Sequence, residues 1–439
     1  MKKSINLKRG LDLPLAGAVV SSEVTEITPG RVAIVPDDFP GFTPKLSVKE
    51  GDSVAQGTPL LHDKFFGEYN LVSPVAGTVE AVVRGERRKI ERVVVKVGDV
   101  AAEPVKYETE IVKDALTTSG MLALIRRRPY ATVASPEDSV RDIFVTGFDS
   151  APLAPSLEDF VSRENLEAGV KALASLTTGN VYLGLRPGSE FADLEGVVAV
   201  EVSGPHPAGN PGVQAANIAP VSKGDVVWTL DIATLDRIGQ FIRTGVVPGE
   251  TVVAVTGSNV RTPQLVKTLV GAEIVSLVDG NLEPSADGYL RIISGNVLTG
   301  VHVKDDGFLR YPYRQLTVIP EGNKANEFMG WASLSPKKMS FYRSFPGHFL
   351  RKLFRPDARL HGGHRAMIMS GEYDRVFPMD ILPEYLIKAI LSRNIERMEA
   401  LGIYEVAPED FALAEYIDPS KLELQRIVRE GLDYMIKEA

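Results

Sequence analysis

The sequence predicts a multidomain chain that mixes α/β and α+β architecture. Two observations carry this. The chain has 439 residues, more than a single hydrophobic core organises. Its periodicity also changes along its length. Short β-branched runs between turns come first, strands alternating with helical stretches follow, strands and turns return, and the last hundred residues are helical. The 39 glycines and 29 prolines are spread throughout, so they read as turns within β-rich modules rather than as a disordered tail.

The first unit, residues 1–107, is expected to be a β domain behind an N-terminal segment. Strands are predicted at Arg31–Val35, Thr78–Val83 and Arg92–Val97. The run Val48-Lys49-Glu50-Gly51-Asp52-Ser53-Val54 continues to Leu60, and Ser73-Pro74-Val75-Ala76-Gly77-Thr78-Val79 follows it. This pair of signals resembles a lipoyl/biotinyl-type β barrel-sandwich, with Val54, Leu60 and Val79 facing inward. Asp63-Lys64 stands where a carrier domain keeps its acceptor lysine. Phe65-Phe66-Gly67 replaces the usual small or acidic turn, so the preferred reading is a carrier fold kept as a structural module.

Residues 108–248 alternate helix and strand. Helical spacing covers 110–127 and 156–177, with strands at Asp142–Thr146, Asn180–Gly184 and Val197–Val202, which implies βαβ units and a mostly parallel sheet. Arg126-Arg127-Arg128 then falls at a helix end, where cations suit the C-terminal dipole. Gly204-Pro205-His206-Pro207 follows a predicted strand and so sits at the carboxyl end of the sheet, where open α/β sheets bind ligands. It lacks the spacing of a dinucleotide fingerprint, and its prolines remove amide donors. His206 is a candidate ligand or base, against the blander role of fixing its loop.

Residues 249–325 read as strand and turn, with one helical stretch near Leu265–Leu277. Residues 326–439 hold a basic loop and a helical domain. Helices are predicted at Pro383–Leu401, stopped by Gly402, and after Asp418 as N-cap, with Leu424, Ile427, Val428, Leu432, Met435 and Ile436 on one apolar stripe. The loop concentrates Lys337, Lys338, Arg351, Lys352 and Arg355 among aromatic residues. In a chain of net charge −8 this local reversal makes those residues candidates for docking an acidic partner or an anionic membrane surface. His361 and His364 flank Gly362-Gly363, poor helix sequence, so no metal site is expected.

The acidic balance argues against nucleic-acid binding. With no cysteine, the chain has no disulfide, thiolate nucleophile or iron–sulfur ligand. Asp12 and Pro14 interrupt the apolar stretch of the N-terminus, which therefore reads as mature protein rather than as a signal peptide. No apolar run approaches the ~18 residues needed to span a bilayer.

Taken together, these strings resemble the NqrA family of the bacterial sodium-translocating NADH:quinone reductase. The carrying residues are Gly10 to Gly17, the two barrel-sandwich signals, Arg128-Pro129-Tyr130, Ile143 to Thr146, Gly204 to Gly209, Arg291 to Gly300, Gly330-Trp331, Arg365-Ala366-Met367, Tyr373 to Ile381 and Glu409 to Leu413. The resemblance implies a Rossmann-like α/β domain similar to the flavin-binding subunit of complex I, then a β-grasp domain of the soluble-ligand-binding (SLBB) type. It also implies a peripheral subunit on the cytoplasmic face of the inner membrane, within a six-subunit complex that passes electrons from NADH to quinone and exports sodium.

Departures narrow this. The flavin loop of the complex I relative is absent between Gly120 and Asp149. Two family histidines correspond to Gln214 and Ala216, and family cysteines to Ile403, Ala414 and Asp418. The chain is accordingly expected to bind no redox cofactor of its own, with flavins and a 2Fe-2S cluster in partner subunits and the membrane-embedded NqrB subunit as docking partner. Isolated, it is expected to have no activity. Phe39, Phe42, Arg128, Tyr130 and His206 are candidate quinone contacts, on the expectation of exposed aromatics beside a cation or donor. The alternative is a cofactor-free carrier-like or soluble-ligand-binding module outside respiration.

Overall fold

In the computed structural model, residues 3–98, 102–286, 288–304, 307–323, 334–336, 338–342, 345–350 and 353–438 are described. The expected docking residues Lys337, Arg351 and Lys352 lie outside them. The N-terminal strands are β1 (Lys3–Asn6), β2 (Val24–Glu26), β3 (Arg31–Ile34), β4 (Pro44–Leu46), β5 (Ser53–Val54), β6 (Pro59–Asp63), β7 (Asn70–Val72), β8 (Gly77–Arg84) and β9 (Ile90–Val97). Two small antiparallel sheets, β3-β9-β8-β5 and β4-β6-β7, form the barrel-sandwich. Val54, Leu60 and Val79 face its core, as the spacing predicts. Asp63 is buried and accepts backbone N–H bonds from Thr43 and Phe65, so it fixes the hairpin that carries the exposed Lys64. β1 and β2 belong elsewhere. β1 joins the α/β sheet beside β14, and β2 joins the third domain's sheet beside β17, so the N-terminal segment straps two other domains together.

The middle unit comprises α1 (Val112–Thr118), β10 (Arg126–Arg128), β11 (Thr132–Val133), β12 (Asp142–Thr146), α2 (Arg163–Ala174), β13 (Val181–Leu185), β14 (Val198–Ser203), α3 (Pro211–Ile218), β15 (Val227–Asp231) and α4 (Ile232–Thr244). Its sheet runs β1-β14-β13-β12-β15-β10-β11 and is parallel from β1 to β15. β12 is buried on both faces. Ile143 and Val145 pack with Leu166, Val170 and Leu235 of α2 and α4, while Phe144 turns to Ala215 of α3. Helices on both faces explain its near-continuous apolar run.

The single helix expected over 110–127 is instead α1, a 3-10 turn at Met121–Leu124, and strand β10. Gly120 breaks it with φ of 76°, and a Cβ there would lie 2.6 Å from the Asn70 carbonyl oxygen. Arg126–Arg128 therefore pair antiparallel with Val227–Thr229 and do not complement a helix dipole. The stretch expected helical over 156–177 narrows to a 3-10 turn at Glu158–Phe160 and α2, capped by Ser162.

The third unit holds β16 (Glu250–Thr256), β17 (Gln264–Leu269), α5 (Ile274–Val278), β18 (Leu290–Ser294), β19 (Val301–Val303) and β20 (Gln315–Pro320) in a mixed sheet, β19-β18-β20-β16-β17-β2. The stretch expected helical near 265–277 begins as β17, whose Val266 and Thr268 are buried in the sheet, and only its end is helical.

The C-terminal helices are α6 (Pro383–Leu391), α7 (Ile395–Ala400), α8 (Ala412–Ile417) and α9 (Leu424–Glu438). The one helix expected over 383–401 is broken at Arg393, whose φ is 51°, and Asn394 caps the second piece through the Arg397 N–H. Asp418 caps the turn before α9, accepting from the Ser420 and Leu422 N–H groups, and not α9 itself. Leu424, Ile427, Val428, Leu432 and Met435 are buried against α6, α8 and the α/β sheet; Ile436 is exposed.

α2 and α4 approach through Gly169 and Gly239, where a Cβ at 239 would sit 1.7 Å from the Asn165 carbonyl oxygen. Gly239→Ala is expected to destabilise the chain by about 1–3 kcal/mol through overpacking, read from urea denaturation midpoints.

Candidate functional site

β12 and β15 are neighbours in the sheet, yet from β12 the chain steps outward through β13 and β14 and then crosses back through α3 to β15 on the opposite side of β12. Such a switch point opens a crevice at the carboxyl ends of the strands. Here it is a cavity of about 420 Å³. All four parts of the chain wall it: Asp38 from the β domain, Asp149 and His206 from the α/β domain, Tyr311 from the third, and Glu409 from the last.

His206 is held from every side. Its backbone N–H donates to Asp12 Oδ1 at 2.9 Å, and its carbonyl accepts from the Leu11 N–H. A Cβ on Gly10 would lie 2.3 Å from that carbonyl oxygen, so the Gly10 string exists to seat the Gly204 string. Ser150 Oγ accepts from the Gly209 N–H at 2.8 Å and lies 3.0 Å from His206 Nδ1. In the tautomer in which the Ser150 hydroxyl donates to Nδ1, the ring proton sits on Nε2. Nε2 is buried without a partner among the described residues, and His206 lines the cavity. Burial pushes the ring pKa down to about 4, so the imidazole is neutral.

Three carboxyl groups shape the rest. Asp231 caps α4 through the Thr234 N–H and pairs with Arg314 at 3.3 Å; burial works against its charge, but Arg314 outweighs it and holds the carboxyl below its usual range. Asp149 accepts from the Ala151 N–H and has no cation partner among the described residues; burial, helped by the Asp231 charge, raises its pKa. Its surface is open, but open into a cavity walled by protein. Asp38 receives Arg310 Nε at 2.7 Å and the Tyr311 N–H at 3.0 Å, and burial still raises it.

The expected contacts separate in this frame. Arg128 and His206 line the same cavity. Arg128 is spent on structure: Nη1 donates to Asp410 Oδ2 and Nη2 to Glu409 Oε1, both at 2.9 Å, and Nη1 also to the Glu405 carbonyl. Phe39 and Phe42 are buried, not exposed as expected. Phe39 stacks on Tyr311 with centroids 5.5 Å apart, and Phe42 meets Tyr69 edge-on at 5.4 Å. Both rings are needed where the β domain meets its neighbours, which is why they turn inward. Tyr130, with φ of 81°, packs edge-on against Tyr404 and does not line the cavity. Sequence reading missed Asp149, Asp231, Arg310 and Arg314. Only Asp231 carries a local signal, an N-cap acid between a strand and a helix. Of the basic loop, Lys338 lies 5.2 Å from the Phe345 ring centroid and Arg355 is exposed.

His206 gives a pH prediction. Its folded pKa is below its unfolded value of 6.5, so the unfolded state binds the extra proton first. The contribution is complete above pH ~6.5 and is lost as pH falls toward ~4, by roughly 3 kcal/mol in all. Denaturation at steps from pH 7 to 4 is expected to show this acid limb, flattened in His206→Gln. Separately, Arg128→Ala strands the fully buried Asp410 carboxylate and is expected to cost about 3–5 kcal/mol by the same measurement.

Residues 5–98 match the family model described as the NqrA N-terminal barrel-sandwich hybrid domain, 107–247 the NqrA second alpha/beta domain, and 252–305 the NQRA C-terminal domain. The chain is 35% identical over 445 residues to the NqrA subunit of the Na(+)-translocating NADH-quinone reductase of Serratia proteamaculans, covering 98% of each chain. The proteins of the same name from Klebsiella pneumoniae and Vibrio alginolyticus are each 34% identical, across 99% of this chain and 100% of theirs. Similarity of this extent, running through every domain, makes the chain a member of the NqrA family of Na(+)-translocating NADH-quinone reductase subunits.

Proposed function

We propose that the chain serves a Na(+)-translocating NADH-quinone reductase as a peripheral subunit on the cytoplasmic face of the inner membrane. In this role it supports quinone reduction and sodium export with no redox group of its own. The single observation that carries the reading is full-length similarity to NqrA proteins. Two others agree with it. The chain has no cysteine for a cluster, and among the described residues no helix is long and apolar enough to cross a membrane. Electron carriers, flavins and a 2Fe-2S cluster, then belong to partner subunits.

Docking is assigned to the segment around Lys338 and Arg355, toward the membrane-embedded NqrB subunit. Phe349, Leu350 and Leu353 are exposed there, a mixture of apolar and cationic side chains that an isolated surface has little reason to display. Quinone contact is assigned to the switch-point cavity. The neutral His206 can donate from Nε2 to a quinone carbonyl, and among the described residues no acceptor competes for that proton. Arg128 holds the wall, and Phe39 acts through Tyr311. Tyr130 and Phe42 have supporting places at most.

Two measurements test this. A tagged chain extracted in mild detergent is expected to bring down a flavin-bearing complex with sodium-stimulated NADH:quinone activity; recovery of the chain alone, under conditions that keep the complex intact, refutes its place in such a complex. In the assembled complex, His206→Gln is expected to raise the quinone KM about tenfold with little change in NADH oxidation by artificial acceptors, the cost of one lost hydrogen bond. An unchanged quinone KM removes quinone from this cavity.

A further inference from the structure

The first three domains meet at Tyr311, and there the guanidinium groups outnumber their carboxylates. Tyr311 donates its hydroxyl to the Leu124 carbonyl at 2.5 Å and stands between two spaces. One is the large cavity. The other is a separate pocket of about 90 Å³, walled by Leu71 and Val72 of the β domain, Met121 and Val247 of the α/β domain, and Leu309 of the third.

Arg237 of α4, Arg310 and Arg314 line this smaller pocket. Arg310 has Asp38 at 2.6 Å and Arg314 has Asp231 at 3.3 Å. Arg237 has no carboxylate within ion-pair distance among the described residues. Its Nη2 donates to the Pro248 carbonyl at 2.8 Å, and its Nε is buried with no acceptor among the described residues. Asp231 is already engaged by Arg314. Asp236, next along α4, is turned to the Ser162 N–H. Among the described residues, the three guanidinium groups thus make ion pairs with only two carboxylates. Burial and the Arg314 charge push the Arg237 pKa down to about 10, which leaves it charged at neutral pH. A charge this enclosed without a carboxylate in ion-pair contact is costly: Asp231 and Asp236 act on Arg237 only at longer range, and Asp38, in the same lining, is taken by Arg310. Thr251, also in the lining, already receives Arg314 Nη1 at 3.3 Å.

We propose that this pocket binds a small oxyanion of phosphate size, held by Arg237 with Arg310 and Arg314 beside it. The volume fits: a water needs roughly 10–15 Å³ in the same measure, so the space holds a tetrahedral ion, while a nucleotide is too large. The planar fork of arginine matches the oxygens of such an ion. Bound there, the ion ties α4 to the loop before β20 and to the wall of the barrel-sandwich. The argument for this site does not rest on the quinone proposal, which uses the other side of Tyr311.

The test is thermal unfolding of the full chain in a weakly coordinating buffer at constant ionic strength, titrated with inorganic phosphate, sulfate, chloride or glycerol phosphate. Phosphate and sulfate are expected to raise Tm saturably by a few degrees at ~100 times the dissociation constant. Chloride and glycerol phosphate should do so weakly or not at all. Arg237→Met should abolish the rise while leaving phosphate-free stability unchanged or higher. No saturable rise in the natural chain, a rise of equal size with chloride or glycerol phosphate, or an equal phosphate rise in Arg237→Met, overturns the proposal. Should Arg237→Met fail to fold, Arg237→Lys decides by calorimetry. Keeping the charge but losing the fork should weaken phosphate binding on the order of tenfold, and unchanged binding overturns it.

Discussion

The ion pair between Arg128 and Asp410 is the constraint on which the site depends. Arg128 is 2% exposed, and the Asp410 side chain is fully buried. Burial alone favours a neutral pair. It is outweighed by the mutual charges and by the exchange of hydrogen bonds, so the guanidinium pKa stands above its usual value. Space for that guanidinium exists only because residue 212 is glycine: a Cβ there would lie 2.1 Å from Nη2. The pair fastens strand β10, near one edge of the α/β sheet, to the turn before α8. The cavity is thereby closed on the side where the helical domain covers it.

Because that wall is fixed, polar groups lining the cavity have little freedom to find partners. Ser150 fixes His206, and Arg314 fixes Asp231, but His206 Nε2 and the Asp149 carboxyl face the open space. Arg126 Nη1 and Gln315 Oε1 of the same lining are also buried without a partner among the described residues, so the cavity offers several unmet polar groups to a ligand. A neutral donor and a carboxyl with raised pKa suit an uncharged polar ring better than they suit a multiply charged nucleotide. The absence of a dinucleotide fingerprint in the Gly204 loop points the same way.

Much of the fold is legible in the sequence, and the reason is local. The run Asp142–Thr146 is buried on both faces, and such a run is recognisable without knowing its neighbours. The barrel-sandwich is legible because paired glycine turns mark it. What failed was decided at a distance. Gly120 stops a good helical pattern because the Asn70 carbonyl occupies the space, 50 residues away in the chain. Arg126–Arg128 read as a helix end because nothing nearby shows that Arg128 meets Asp410, 282 positions further on. Phe39 and Phe42 read as exposed because a short proline-glycine turn gives no sign of the domain that covers it. His206 was found because a loop at the end of a parallel strand is informative by position. Asp149 and Arg314 were not, since a lone acid or arginine in a loop has no spacing to recognise.

The two proposed ligand positions share a boundary whose physics links them. Tyr311 is a neutral partition: burial raises its hydroxyl pKa, and the hydroxyl is committed to the Leu124 carbonyl. Arg310 and Arg314 line the space on both sides of it. An oxyanion beside Arg237 draws on the same guanidinium that holds the Asp231 charge. Asp231 in turn is one reason the Asp149 pKa is raised. Any weakening of the Arg314–Asp231 pair leaves more negative charge facing Asp149 and strengthens its hold on a proton. The Arg314–Asp231 pair is therefore where the two spaces meet electrostatically.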